Sequence, residues 1–317
     1  MSTFVISLDF EVFWGVADSR AINEYRKNIE GEWQAIPQML ALFCKYEIKA
    51  TWATVGMLMC KNFAQWQEIR PSEFPSYFNK QSSTYTFGAL AKEYPNLFFA
   101  RPLVEQILAT PGQELATHTY SHFYCDEPGA TIEQFEADLA CAVEVASIFN
   151  VKYSSLVFPR NQVSEEYLPA VKKAGIKVYR GNPKHWLFRD GHVPRGGIAG
   201  RAVRLADSWL PLTGPNVGVA GARNGLINVP ASLFLRPWSR QMSVLEPFRL
   251  NRIKKAMTSA ARSDGIFHLW WHPHNFGLNT NQNINALNEI LQHFLRLKDI
   301  YGMRTARMDD FVNERCE

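Results

Sequence analysis

Phe4-Val5-Ile6-Ser7-Leu8-Asp9-Phe10-Glu11 is an apolar run whose far end carries two acids. Side chains on a strand alternate, so Asp9 and Glu11 share one face and Phe10 takes the other. Two neighbouring carboxylates need a cation, a proton or solvent to relieve their repulsion. Taken alone, the pair reads as a solvated strand end. The pattern recurs, however: apolar strands with chemistry-bearing residues at their C-terminal ends. That recurrence decides the fold.

Short β-branched runs predict strands at 4–11, 50–55, 114–117, 155–158, 176–179, 226–229 and 266–271. Helical patterns at 28–46, 132–149, 164–174, 250–262 and 284–301 alternate with them, as in parallel β/α units. Ser164 is the expected N-cap of its helix and Gly175 the expected glycine after its end. Two segments interrupt the rhythm. Residues 57–112 are aromatic-rich and far longer than an ordinary βα connection, and 182–223 are rich in Gly and Pro.

With 317 residues, 46% hydrophobic and 20% charged, the chain has the composition of a globular protein with a large core. Length alone leaves open one barrel or two ordinary domains. The net charge of +4, from 34 basic and 30 acidic residues, argues against nucleic-acid binding, and no such motif stands out. Five widely spaced cysteines (Cys44, Cys60, Cys125, Cys141, Cys316) read as reduced, buried thiols rather than a zinc ribbon or a redox pair. The N-terminus starts on a strand with no export signal, and no stretch reaches the ~18 apolar residues of a membrane span.

His118-Thr119-Tyr120-Ser121-His122 follows a predicted strand directly. In a helical turn, histidines four apart share one face and can hold one metal, although an isolated pair is weak evidence. Thr119 stands where the zinc-protease motif needs its glutamate, so a general base must come from elsewhere. Phe158-Pro159-Arg160-Asn161 places an arginine at another strand end, where it is either a surface charge or the partner of a buried carboxylate. His268-Leu269-Trp270-Trp271-His272 puts His268, Trp270 and His272 on one face of the last predicted strand. Each element alone has a bland explanation. Together they fall on the strand ends that converge on one rim of a parallel barrel, where active sites form.

With these motifs the chain resembles the polysaccharide deacetylase family of carbohydrate esterases, from Phe4 to about Phe276. Ala50-Thr51-Trp52-Ala53-Thr54-Val55-Gly56 is similar to the family's second strand. The resemblance implies a single domain over 1–317, a deformed (β/α) barrel of about seven parallel strands, with insertions near 57–112 and 182–223. It implies Asp9 as catalytic base, Glu11, His118 and His122 as ligands of one divalent metal, Arg160 as the arginine orienting the base, and His272 as general acid. Most members have two adjacent aspartates where this chain has Asp9-Phe10-Glu11. Asp207, beside Trp209, is the candidate for the aspartate that tunes the general acid. The expected ion is Zn²⁺, with Fe, Co or Ni suiting the same ligands.

The function implied is removal of an N-acetyl group from an amino sugar. Without an export signal the expected setting is the cytoplasm, and the expected substrate a nucleotide- or lipid-linked precursor of surface polysaccharide. Residues 232–262 carry seven basic residues (Arg236, Arg240, Arg249, Arg252, Lys254, Lys255, Arg262) against Glu246. They read either as a solvated helix face or as a peripheral contact with an anionic membrane surface. The rival functions are a cyclic-amide hydrolase of the same fold and a non-catalytic glycan-binding module. Binding alone needs neither a base such as Asp9 nor an acid such as His272.

Overall fold

The computed structural model describes residues 1–188 and 197–315. Cys316 and part of the segment 182–223 therefore lie outside the described residues. Ten strands form one sheet: β1 (Thr3–Phe10), β2 (Ala50–Thr54), β3 (Gln113–Thr117), β4 (Ser155–Leu156), β5 (Val178–Tyr179), β6 (Gly221–Arg223), β7 (Leu226–Asn228), β8 (Leu233–Phe234), β9 (Ile266–Trp271) and β10 (Arg304–Ala306). All seven expected strands are present. β6, β8 and β10, two or three residues each, are additional to the sequence expectation. The order is β6-β7-β5-β4-β3-β2-β1-β9-β8, with β10 on β1, and every pairing except β6–β7 is parallel.

β1 is buried at every position, as a strand covered on both faces must be. It pairs with β9 along one edge, and with β10 and then β2 along the other. The sheet is curled rather than flat. β5 stands four strands from β1, about 19 Å away in a flat sheet at ~4.8 Å per step. Yet Arg180, just past β5, bonds Asp9 of β1 at 2.7 Å. The stretch 226–235 closes the curl: Val229 N–H donates to the Tyr179 carbonyl (3.0 Å), and Ser232 and Leu235 N–H to the His268 and Trp270 carbonyls (2.8 Å each).

The helices Ile22–Lys45, Ile132–Ser147, Glu246–Arg262 and Thr280–Tyr301 cover the sheet where the pattern predicts them, three of them starting four to six residues earlier than expected. The expected helix at 164–174 is a 3₁₀ turn, Glu165–Tyr167, running into Leu168–Lys173. Ser164 makes no cap there, its hydroxyl lying 3.4 Å from Glu166, whereas Gly175 takes the left-handed conformation expected after a helix end (φ 85°). Between β2 and β3 a string of short helices packs beneath the site: the Trp14 indole donates to the Phe98 carbonyl (2.8 Å) and Tyr124 N–H to the Tyr77 hydroxyl (2.8 Å). Cys60, Cys125 and Cys141 are buried free thiols, and burial pushes Cys60 and Cys141 up to about 12. Cys44, contrary to expectation, is exposed on its helix.

The helix Ile22–Lys45 presses on the turn after β9 backbone to backbone. A Cβ on Gly277 would stand 1.8 Å from the Asn28 carbonyl oxygen, and one on Gly31 would stand 2.1 Å from that of Gly277. Main chain cannot swing aside as a side chain can. Gly277→Ala is therefore expected to lower stability by about 1–3 kcal/mol or more, measured by chemical denaturation. Gly221→Ala, with nothing within 4 Å, should stay within about 0.5 kcal/mol of wild type. Equal stability of the two variants would refute the contact.

Candidate active site

Because the strands of the barrel wall run parallel, Asp9, Glu11, His118, Arg180 and His272 all emerge at one rim. Glu11 is buried, and its Oε1 lies 3.1 Å from His118 Nε2 and 3.2 Å from His122 Nε2. Gly15 makes room for it, since a Cβ there would meet Glu11 Oε2 at 1.8 Å.

The expected helical turn at His118–His122 does not form. Thr119 and His122 adopt left-handed backbone (φ 61° and 57°), and the N–H groups of Tyr120 and Ser121 bond the Asp138 carboxylate at 2.7 and 3.1 Å. Those donors are thereby taken from an i→i−4 ladder, and a bonded loop brings the two rings to 5.1 Å. Burial pushes the Asp138 carboxyl up to about 6, against its hydrogen bonds with Ser121 and Tyr120.

The far nitrogens of both rings fix their tautomers. His118 Nδ1 lies 2.8 Å from the Val157 carbonyl, which can only accept, so Nδ1 carries the proton. His122 Nδ1 lies 3.2 Å from the Tyr124 hydroxyl, whose own proton goes to Asp18 (3.1 Å). In its neutral form each ring therefore turns a bare Nε2 towards Glu11. Burial also lowers the His122 pKa, which favours the neutral form against the pull of Glu11. Three acceptors facing one another without a donor fit a cation, and their ligand atoms all lie within 4.8 Å of one another. Asp9, Glu11 and His272 form a second such group on the same carboxylate.

Asp9 is buried in a two-pronged pair with Arg180, Nη1 to Oδ1 at 2.7 Å and Nη2 to Oδ2 at 2.8 Å. Burial works to raise its pKa, but Arg180, then His118 and His272, outweigh it and hold the carboxyl below its usual value. Arg180 is itself fixed by Ser7 (2.9 Å), Asn161 (2.8 Å) and the Trp270 ring, 4.4 Å away.

The arginine assignment from sequence therefore needs correction. Arg160 follows Pro159 in left-handed backbone (φ 55°), which carries its side chain away from Asp9, onto Asp18 and over the Tyr124 ring at 3.9 Å. It braces Asp18, Tyr124 and, through them, His122. Asp207 is corrected too: its oxygens accept from Thr213 (2.8 and 2.9 Å) and lie 3.4 Å from Arg252, with no hydrogen bond to His272. His272 sits at the rim, its side chain 26% exposed, Nε2 3.6 Å from Glu11 and 3.9 Å from Asp9, stacked on His274 at 5.1 Å. Behind the site, Glu32 is buried with neither oxygen hydrogen-bonded, and burial together with the Glu11 charge raises it well above the usual carboxylate value.

The basic segment 232–262 does not present one face. Arg249 and Arg252 are 3% and 4% exposed and turn inward. No helix among the described residues is long and apolar enough to cross a membrane.

A family model described as polysaccharide deacetylase matches residues 30–179. Among solved structures, a candidate polysaccharide deacetylase from Mycobacterium smegmatis superposes with TM-score 0.61 at 12% identity, over 99% of this chain and 90% of that one. A GH57-type branching enzyme from Pyrococcus horikoshii gives 0.57 at 10% identity (99% and 70% covered), and the allantoinase PuuE 0.54 at 11% (97% and 87%). At such identities the likeness is one of fold. No curated protein sequence matches the chain.

The two arginines make a direct test. Removing Arg180 leaves a buried carboxylate unpaired, so Arg180→Met is expected to cost about 3–5 kcal/mol. Arg160→Met, whose pair with Asp18 reaches solvent, should cost about 1 kcal/mol. The pH profiles differ in sign. In wild type Asp9 is held low, so its contribution is complete above an unfolded value of ~4 and is lost as pH falls through the folded value. In Arg180→Met burial dominates and raises Asp9, so stability declines as pH rises from about 4. Denaturation midpoints across pH measure both, and identical profiles for the two variants would exclude the pairing.

Proposed function

We propose, from the premise that over residues 30–179 the chain belongs to the polysaccharide deacetylase family, that it is a metal-dependent hydrolase removing the N-acetyl group of an amino sugar. The observation that carries this reading is the cluster of bare acceptors Glu11, His118 and His122 beside the Asp9–Arg180 pair. The site's other group with a transferable proton, His272, stands partly open to solvent at the rim.

Glu11, His118 and His122 are the residues to hold the ion. A bound divalent ion supplies Lewis acidity, polarising the acyl carbonyl and making water a nucleophile near neutral pH. Asp9 takes the proton of the attacking water. With Arg180 on both of its oxygens it is a weak base, sufficient only for a water already acidified. Arg180 keeps the carboxylate aimed while Trp270 and Asn161 keep Arg180 in place. His272 delivers a proton to the departing amine, giving acetate and the free amino sugar.

Zn²⁺ is the favoured ion for two imidazoles and a carboxylate. The favoured substrate is a nucleotide- or lipid-linked precursor in the cytoplasm, in surface-polysaccharide synthesis. For a membrane-face role the exposed Arg240, Lys255 and Arg262, with exposed Phe248, are the groups that remain available. The allantoinase fold neighbour keeps a cyclic-amide substrate as a second reading, so allantoin belongs in the substrate panel.

His118→Ala or His122→Ala should lose most of the bound metal by elemental analysis, whereas Asp9→Asn should keep it and lose turnover by about 10²–10⁴-fold. Stoichiometric metal in the double histidine variant would sink the ligand assignment. His272→Ala should damage amide hydrolysis far more than hydrolysis of an activated ester, whose leaving group needs no proton. Equal losses on both would refute the acid role.

A further inference from the structure

Beside His272 the rim opens into a cavity of about 330 Å³ lined by Phe234 and Trp270 together with Arg204, Arg236, Arg249 and Arg252. Two of these arginines are neutralised within the protein. Arg249 is paired with Glu246 (Nε to Oε2, 2.8 Å) and donates to the Arg236 carbonyl (2.7 Å). Arg252 lies against Asp207 (3.4 Å) and donates to the Gly214 carbonyl (2.6 Å).

Arg236 is different. Its Nε donates to the Ser208 hydroxyl at 3.0 Å, and among the described residues its guanidinium has no carboxylate partner. It is half-buried, and burial together with neighbouring Arg249 lowers its pKa from the usual guanidinium value. Holding a cation in such a place costs free energy that an incoming anion would offset. A guanidinium with both terminal nitrogens available is suited to gripping two oxygens of one oxyanion.

The position relates this charge to the reaction site. β8 runs beside β9 with Phe234 level with Trp270, and Arg236, two residues past Phe234, lines the same cavity as His272. The rings between them are in contact, Phe234 to Trp270 at 4.7 Å and Phe234 to His272 at 5.8 Å. An apolar ring surface beside the Arg236 guanidinium suits a sugar ring carrying a negative group.

We propose that this cavity receives an oxyanion substituent of the substrate, a phosphate or a carboxylate, with Arg236 as its direct partner. The proposal rests on the deacetylase reading for the identity of the molecule that bears the anion. The binding site itself stands on the arginine arrangement.

The test compares kcat/KM for an N-acetylhexosamine, its 1-phosphate and the corresponding N-acetylhexosaminuronic acid, in wild type, Arg236→Gln and Arg236→Lys. Wild type should favour an anionic sugar over the neutral one by at least about tenfold, chiefly through KM and most strongly at low salt. Arg236→Gln should shrink that ratio about tenfold, and Arg236→Lys should restore part of it. Whichever anionic sugar is preferred identifies the oxyanion. A wild-type ratio near one, or a ratio that survives in Arg236→Gln, overturns the proposal. A second arm needs no turnover: thermal unfolding with millimolar inorganic phosphate against sodium chloride of equal ionic strength. Phosphate should raise Tm in wild type more than in Arg236→Gln. An equal rise in both proteins, or none in wild type, rejects the site. Should no sugar be deacetylated, the first arm counts against the deacetylase reading, and the phosphate arm decides the cavity separately.

Discussion

A carboxylate shut inside a barrel needs a cation, and Asp9 finds one from four strands away in the same sheet. The Arg180 pair spans what would be four strand spacings in a flat sheet, so it exists only if the sheet curls. It also requires Ser7, Asn161 and Trp270 to meet around one guanidinium. The lowered Asp9 carboxyl follows from it, and Trp270 lies against the same guanidinium.

The histidine pair is governed by a different device. Nothing in its loop is helical, and the loop is shaped by polar groups borrowed from elsewhere: Asp138 under the backbone, the Val157 carbonyl behind His118, Tyr124 and Asp18 behind His122. Such outer partners set which nitrogen faces inward, and with it whether the pocket attracts a cation. Glu32 shows the opposite condition nearby. With no partner and a charged neighbour, burial and the Glu11 charge push its carboxyl well above the usual value, which favours the acid form.

Seven of the ten strands were legible because parallel buried strands read as apolar runs, and the rim residues because they end those runs. Arg160 misled because it also follows a strand, and the left-handed backbone that turns it away is invisible in the order of residues. A signal for Arg180 did exist: it directly follows Val178-Tyr179, as His272 directly follows Trp271. Asp138 was also detectable, as a charge on the buried stripe with Phe135, Leu139 and Ala142. The inward turn of Arg249 and Arg252 was not, since a basic helix face and a basic pocket wall share one composition.

The seam formed by 226–235, together with the strand order, also fixes when the site can come into being. β1 is flanked by β9 and β10, so Thr3 pairs with Ile266 and with Arg304. As the chain leaves the ribosome, β1 must wait with one edge bare until β9, about 260 residues later, has been made. Contacts that distant in sequence form late and slowly, and an unpaired hydrophobic strand is the kind of surface chaperones hold. No co-translational fragment that stops short of β9 can display His272 beside Asp9.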